Sequence, residues 1–236
     1  FAQDILDPVG YFYGVNLTTK RLLFGNRTLL MNPHAIIVGH TGSGKSVLIK
    51  ATEIFQTLIS TSDDILILDP QNEFKEIVEK YGGSYFDLTP KSKIYINGFE
   101  VSDAVFYADK DTKEKFIATQ TKYAKSLVAA IMTNILFTQE HATVVSRATR
   151  KMFDKIFAQK RLKKQATLRM LREEIRLELE NAKDDYDRSI IKPIYNSLEE
   201  YTDGSCDMLA YPSTVRLDNR MIGFGLKNVP PDNWEP

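Results

Sequence analysis

The sequence has little cysteine and no excess of either charge. Cys206 is the one cysteine in 236 residues. A lone thiol forms no internal disulfide and no thiolate metal cluster, so a reducing compartment is expected. The 31 Lys and Arg residues balance the 31 Asp and Glu residues, so the mean charge gives no electrostatic argument for nucleic acid or an anionic membrane. Only local runs of charge can carry such an argument.

Long apolar runs are also missing. A membrane helix needs roughly 18 to 20 apolar residues. The best stretch, from Ser126 to Phe137, is shorter and contains Thr133 and Asn134. No signal peptide is visible. Because the chain begins without Met and stops at Pro236 with no evident terminal element, we expect a fragment of a longer protein.

What the sequence does contain is a phosphate-binding motif. Gly39-His40-Thr41-Gly42-Ser43-Gly44-Lys45-Ser46 matches the P-loop (Walker A) pattern G-x-x-x-x-G-K-[ST] at every fixed position. Its glycines let consecutive N–H groups point at phosphate oxygens, and the following helix, which starts near Val47, adds its positive N-terminal end. Lys45 is expected to reach the β- and γ-phosphates, and the Ser46 hydroxyl to coordinate Mg²⁺. The segment predicts a site for ATP and magnesium.

The residues on either side of this loop predict strands and a helix. Tyr11 to Val15 and Arg21 to Phe24 flank a polar turn and predict two paired strands. Ala35 to Val38 predicts a buried strand that leads into the loop. After the loop, apolar residues recur at helical spacing and predict one buried helix face. This stripe comprises Val47, Ala51, Ile54, Phe55, Leu58 and Ile59.

Two features near the loop have a functional and a structural interpretation. The aromatic residues of the predicted hairpin could stack on a base, but Tyr and Phe in paired strands more often fill the core. Arg27 could contact a nucleotide phosphate, but one arginine in a loop is more often solvated. The structural interpretation is favoured for both.

A second strand-to-helix unit follows. The apolar run from Ile65 to Leu68 predicts a strand, and Asp69 and Pro70 end it before a helical pattern that stops at Gly82-Gly83. Ser84 to Asp87 predicts the next short strand. Strands that alternate with helices at this spacing predict a parallel, doubly wound α/β sheet.

Asp69 has competing interpretations. An aspartate after four apolar residues also describes a Walker B site, but Pro70 stands where a catalytic acid is expected. At the carboxyl edge of a parallel sheet, Asp69 and Glu73 could instead face the γ-phosphate region. Equally, an Asp-Pro sequence is typical of a helix start, where Asp69 would act as a cap. The last two interpretations stay open from sequence alone.

Residues 101–210 contain few strand signals and several helical ones. Thr138 to Glu140 predicts a helix start, and Asp203-Gly204 predicts a stop. Beyond them, Thr214 to Leu217 and Met221 to Leu226 predict a return to the sheet. The predicted organisation is a first part of the P-loop core in residues 1–100, an all-α insertion in residues 101–210 and a return to the core in residues 211–236.

Charge within the helical region is uneven. From Arg147 to Arg172 there are ten Lys and Arg residues against Asp154 alone, whereas Glu173 to Asp187 is dominated by carboxylates. A basic surface for DNA or a partner is one interpretation. Pairing of the two runs within a helical bundle is the other, and it is favoured because their charges nearly cancel.

A set of motifs in this order resembles the ATPases of conjugative type IV secretion, the VirB-four (TraC/TraE-like) family. The motifs are Tyr13 to Asn16, Gly39 to Ser46, Leu68 to Phe74, Gly82-Gly83 and Ile94 to Asn97. That family usually has glycine where this chain has Asn72, and Pro where Gly98 follows Asn97. The resemblance covers nearly the whole chain.

The resemblance implies a RecA-type ATPase core with an inserted helical subdomain, related to HerA and FtsK motors. Together with the phosphate-binding motif and the position of Glu73 after the second strand, it leads us to expect ATP and Mg²⁺ as cofactors and Lys45 and Glu73 as catalytic residues. It also implies a homo-oligomer, expected to be a hexamer, that contacts secretion-channel proteins at the cytoplasmic face of the membrane. The Walker B pair, a polarising Gln and an arginine from a neighbouring subunit would lie downstream.

Three functions remain distinguishable by experiment. The first is an ATPase that energises channel assembly or substrate transfer. The second is a DNA-translocating motor of the HerA/FtsK kind, for which the basic run from Arg147 to Arg172 would line a DNA path. The third is an assembly scaffold that binds nucleotide without turnover.

Overall fold

The computed structural model describes residues 6–89 and 92–229. The described chain divides into two compact units. The first takes in the residues up to Asp87 together with Leu217–Lys227, and the second spans Leu88–Arg216 and resumes at Asn228. The first unit carries the phosphate loop and the second is helical.

The first unit begins with the predicted hairpin. Strands β1 (Tyr11–Val15) and β2 (Leu22–Gly25) pair antiparallel, which confirms the prediction. The hairpin is tied to the helix after the phosphate loop by Gln56. Its side-chain amide accepts from the Phe12 N–H at 2.7 Å and donates to the Phe12 carbonyl at 2.8 Å. Gln56 therefore satisfies both backbone groups of Phe12, as a neighbouring strand would.

Three parallel strands form the sheet of this unit. They are β3 (Ile65–Asp69), β4 (Ser84–Asp87) and β5 (Met221–Gly225), in the spatial order β3-β5-β4. The strand nearest the C-terminus thus lies between two strands that are close in sequence. This arrangement confirms the predicted parallel α/β core interrupted by a helical region.

Helices cover the sheet through a small apolar core. After the phosphate loop, helix α1 (Lys45–Leu48) continues through a π-helical segment (Ile49–Ile54) into α2 (Phe55–Ser60). Helix α3 (Lys75–Lys80) follows β3. The buried centre of the core consists of Ile54, Val78 and Met221.

The predicted apolar stripe after the loop is only partly correct. Ile54 and Leu58 join the core, whereas Val47 and Ile59 are 69% and 65% exposed. Ala51 and Phe55 are exposed as well. The wider turn of the π-helical segment shifts the register of the buried face relative to a continuous α-helix.

Two predicted strands are wrong. Ala35 to Val38 is irregular and belongs to neither of the described sheets. Its side chains Ile36 and Val38 are 89% and 85% exposed. An apolar run becomes a strand only when a partner strand satisfies its backbone. Thr214 to Leu217 is also irregular. The Thr214 N–H donates to the Tyr95 carbonyl at 3.1 Å, and the Thr214 hydroxyl accepts from the Tyr95 N–H at 3.0 Å.

The second unit is a bundle of helices, as predicted. Its helices are α4 (Asp103–Phe106), α5 (Lys110–Ile131), α6 (Gln139–Phe157), α7 (Leu168–Glu180), α8 (Asp185–Ser197) and α9 (Glu199–Thr202). Helix α6 begins after Thr138, as predicted, with a capping box in which Thr138 and His141 satisfy each other's backbone N–H. The core of the bundle includes the fully buried Met152, Phe153, Leu171 and Ile194.

Ion pairs within the bundle account for most of the basic run. Arg147 and Lys151 on α6 both contact the Glu178 carboxylate, at 2.9 and 3.0 Å, and Lys155 contacts Glu174. The remaining pairs of the run are Arg150 with Glu114, Arg169 with Asp203, and Arg172 with Asp203 and Glu199. Pairing of the two charge runs is confirmed for Arg147, Lys151 and Lys155, whereas the other three cations pair with carboxylates outside the acidic run. These pairs favour pairing within the bundle over a basic surface along the whole run.

Replacing Glu178 by alanine should destabilise the bundle. The Glu178 side chain is 7% exposed, and its loss removes charge-assisted hydrogen bonds from Arg147 and Lys151. Because both cations are more than half exposed and can be hydrated in the variant, we expect a loss of about 1–2 kcal/mol in the free energy of unfolding. Urea denaturation followed by circular dichroism measures it.

Glu180→Ala is the matched control on the same helix. Glu180 pairs with Arg176, but its side chain is 56% exposed, so the change should be below about 0.5 kcal/mol. Equal destabilisation by the two substitutions would contradict the structural role of Glu178.

Candidate functional site

The phosphate loop has a conformation that requires glycine. Gly42 and Gly44 have φ of +81° and +88°, in the left-handed region that side chains disfavour, and Gly44 is the N-cap of α1. At Gly39, a Cβ would lie 2.5 Å from the Ser43 hydroxyl oxygen. Gly42 and Gly44 are therefore required by the backbone of the loop, whereas a side chain at Gly39 would displace only the Ser43 hydroxyl. Gly39 to Gly44 and Val47 are exposed, whereas Lys45 and Ser46 are half-buried.

Lys45 folds back over the loop. Its ammonium donates to the carbonyls of Gly39 and His40, both at 2.9 Å. No carboxylate pairs with Lys45 among the residues that the structure describes. A phosphate oxygen would offer this ammonium a charged acceptor in place of two neutral ones, which makes a stronger hydrogen bond.

Ser46 and Glu73 lie together, although 27 positions separate them. The Ser46 hydroxyl donates to the Glu73 carboxylate. Ser46 is on the first turn of α1, and Glu73 is on the segment between β3 and α3. A hydroxyl and a carboxylate beside a phosphate loop are the oxygen ligands that Mg²⁺ takes together with phosphates. The donor set therefore fits the predicted metal.

Lys50 fixes the same segment from the π-helical part of the helix. Its ammonium donates to the Glu73 carbonyl at 2.7 Å and lies 5.3 Å from the centre of the Phe74 ring. Sequence reasoning missed Lys50. Its position one helical turn after Ser46, on the same face, was the available signal.

The Asp69 carboxylate is buried at the end of β3, with 1% of the residue exposed. It accepts the N–H groups of Glu73 and Phe74, at 3.1 and 2.8 Å, and the Tyr85 hydroxyl at 2.9 Å. Burial and the hydrogen bond to Asp69 raise the pKa of Tyr85 above its usual value. Asp69 is not the N-cap of α3, which is Phe74 without a side-chain capping bond, so the capping interpretation is wrong in that detail. The carboxylate instead holds the backbone turn that precedes the helix. A direct role of Asp69 toward nucleotide stays a prediction.

Asn72 explains one difference from the VirB-four pattern. It has φ of +59°, a left-handed conformation that glycine adopts freely and asparagine tolerates better than most residues. Its side chain accepts from the Tyr85 hydroxyl at 3.3 Å and donates to Asp87 at 3.4 Å. At the neighbouring Gly225, a Cβ would lie 2.7 Å from both Asn72 and Tyr85. Tyr85 and Gly225 were not predicted as parts of this site.

Arg27 pairs with a carboxylate of the helix that follows the phosphate loop. It forms an ion pair with Glu53 of the π-helical segment, and the two side chains are 31% and 20% exposed. Burial and the nearby Glu53 carboxylate raise the pKa of Tyr13. The structure favours a structural role for Arg27. The residue is held in an ion pair, however, and is not simply solvated as predicted.

Residues 6–89 and 92–229 contain no group of three or more His, Cys, Asp or Glu side chains that could hold a metal. Nor does any helix in these ranges have the length and apolar character that crossing a membrane requires.

A solved structure and a curated relative resemble this chain. VirB4 of Thermoanaerobacter pseudethanolicus is 18% identical, with a TM-score of 0.65 over 98% of this chain and 61% of that chain. This likeness confirms the predicted VirB-four type of α/β fold. The DNA import protein CedB of Sulfolobus acidocaldarius is 31% identical over 81 residues, which are 34% of this chain and 13% of that protein. The chain therefore spans only part of either relative.

A family model supplies the broader assignment. The model described as "Helicase HerA, central domain" matches residues 28–216. That span contains the phosphate loop, the Asp69 to Phe74 segment and the helices α4 to α9. Since the match covers most of the chain, the chain belongs to the HerA helicase central-domain family.

Proposed function

We propose that this chain is the ATP-binding and hydrolysing motor domain of a conjugative type IV secretion system. The observation that carries the proposal is the contact between Ser46 and Glu73 beside the loop that holds Lys45. It brings together a cation for phosphate, a hydroxyl for metal and a carboxylate for chemistry. The family and the VirB4-like fold support the same function.

Each residue of the site has a proposed role. The backbone N–H groups of Gly39 to Ser46, together with Val47 at the start of α1, bind the phosphates of ATP. Lys45 leaves the carbonyls of Gly39 and His40 and contacts the β- and γ-phosphates. Ser46 holds Mg²⁺, which when bound neutralises charge that develops on the phosphates. Asp69 keeps the Glu73 segment in place beside them.

Glu73 is the proposed catalytic carboxylate in this chain. In-line attack on the γ-phosphate requires a group that orients water and accepts its proton. The Glu73 side chain is exposed and reaches Ser46, so it lies at the metal side of the loop. Walker B residues and an arginine from a neighbouring subunit, which the VirB-four resemblance implies, would complete the site.

The wider assembly follows from the same proposal. A homo-hexamer at the cytoplasmic face of the membrane would contact channel proteins, with the helical insertion in residues 101–210 docking partners. The core would comprise residues 1–100 and 211–236. Cross-linking of the complete protein measures the number of subunits in the oligomer.

A DNA-translocating motor of the HerA/FtsK kind is the second candidate. The family match and the name of the DNA import relative favour it. The pairing of most of the basic run within the bundle argues against a DNA path along that whole run. A nucleotide-binding scaffold without turnover is the third candidate, and phosphate release separates it from both motors.

Replacing Lys45 by alanine should weaken ATP binding by at least about tenfold and abolish phosphate release. The variant lacks the cation that would pair with the phosphates, and such charge-assisted bonds contribute about 1.5–3 kcal/mol each. Fluorescent ATP titration of the chain and a phosphate-release assay on the complete protein measure the two effects. Lys80→Ala, at an exposed lysine of α3, is the control that should change neither. Unchanged phosphate release in Lys45→Ala would remove the ATPase proposal.

Replacing Glu73 by glutamine should separate binding from turnover. We expect ATP affinity within about threefold of the parent and phosphate release lower by about 100-fold or more, the usual contribution of a general base. Glu76→Gln, an exposed acid on α3, is the matched control. Phosphate release that stays at the parent rate in Glu73→Gln would exclude a catalytic role for this carboxylate.

A further inference from the structure

Four cations of the basic run remain after the ion pairs of the bundle are assigned. They lie between α6 and α7 and share one loop of five residues. The loop consists of Lys160, Arg161, Leu162, Lys163 and Lys164, and we refer to it as the basic loop. Within the part of the chain that the structure describes, no salt bridge involves these four cations. All four are exposed.

The basic loop is held in one shape by uncharged contacts. Leu162, in its middle, packs against the core of the bundle. The Gln159 side chain spans the loop, since its amide donates to the carbonyls of Ile156 and Lys164 and accepts from the N–H groups of Lys163 and Lys164, at 3.1–3.3 Å. Two exposed cations therefore lie on each side of one partly buried leucine.

The segment after the basic loop is anchored as firmly. Gln165 exchanges two hydrogen bonds with the Val101 backbone, at 2.8 and 3.0 Å. The Asn97 side chain donates to the Ala166 carbonyl at 2.7 Å, and both residues are buried. Little backbone entropy remains to be lost when a ligand binds here, so the cations are preorganised.

We propose that the basic loop binds the phosphate backbone of DNA without sequence selectivity. This proposal rests on the proposed function, in which the motor serves DNA transfer. Four cations that pair with no carboxylate of residues 6–89 and 92–229 provide the counterion release that drives such binding. Across residues 158–165 there is no aromatic residue, so bases are not stacked here.

The same residues argue against an acidic protein as the ligand. Protein interfaces are centred on buried aromatic or aliphatic anchors, and lysine is depleted in them. The one apolar residue of the basic loop, Leu162, is committed to the bundle core. The exposed surface of the loop consists of long, flexible Lys and Arg side chains. Such side chains can follow the regularly spaced charges of a polyanion.

The test replaces all four cations with glutamine and measures DNA binding. The variant is Lys160→Gln, Arg161→Gln, Lys163→Gln and Lys164→Gln in one chain. The probe is a fluorescein-labelled 30-base-pair duplex of mixed sequence, followed by anisotropy from about 50 to 200 mM salt. We expect affinity at the lowest salt to fall by at least about tenfold. The slope of log affinity against log salt should become shallower by about 3 to 4, since each phosphate contact contributes about 0.9.

A matched control removes the same charge elsewhere in the bundle. Lys110→Gln, Lys115→Gln, Lys122→Gln and Lys125→Gln neutralise four lysines of α5. This variant should keep the affinity within about threefold and the slope within about 1. An equal loss in the two variants would show that net charge alone matters and would overturn the proposal. So would parental affinity and slope in the basic-loop variant.

Two further measurements keep the outcomes separate. Polyglutamate of equal charge is titrated in parallel, and loop-dependent binding of polyglutamate without binding of the duplex would assign the loop to an acidic protein and overturn the proposal. Fluorescent ATP binding and the melting temperature should be unchanged in the basic-loop variant. If DNA binding fails while Lys45-dependent ATP binding remains, this inference is lost and the proposed ATPase function stands.

Discussion

The buried carboxylate of Asp69 is the interaction on which the candidate site depends. It stands at the end of β3 and accepts two backbone N–H groups and one hydroxyl. Those three bonds turn the chain sharply out of the sheet and set Glu73 against Ser46. A buried carboxylate without donors would be costly, so the turn and the charge stabilise each other. The phosphate loop supplies half of the site, and Asp69 brings the other half to it.

In the helical unit, most of the basic run forms ion pairs within the bundle. A run of ten cations suggested a nucleic-acid surface, but six of them pair with carboxylates elsewhere in the bundle. Glu174 and Glu178 are almost fully buried under these cations. The bundle thus uses much of its charge to fix the packing of α6 against α7. The cations that remain for a ligand, among the described residues of the run, are those of the basic loop.

Local signals were the predictable part of this molecule. The glycines of the phosphate loop, the Thr138 cap and the Gly82-Gly83 stop each reflect a backbone requirement written in a few adjacent residues. Contacts over long separations were not predictable. The meeting of Ser46 with Glu73, and of Tyr85 with Asp69, depends on strand order. Ala35 to Val38 shows the converse, because an apolar run cannot reveal whether a partner strand is in place.

The position of β5 has a consequence for how the protein is made. β5 forms ladders with both β3 and β4, yet more than a hundred residues separate it from β4 along the chain. Contacts of such large sequence separation form slowly, and domains begin to fold as they leave the ribosome. The helices α4 to α9 are complete in sequence before Met221 is synthesised, so they can fold while β3 and β4 still lack their central strand. Until then the two strands expose unpaired edges, and a chaperone that shields them would protect the nascent sheet from aggregation.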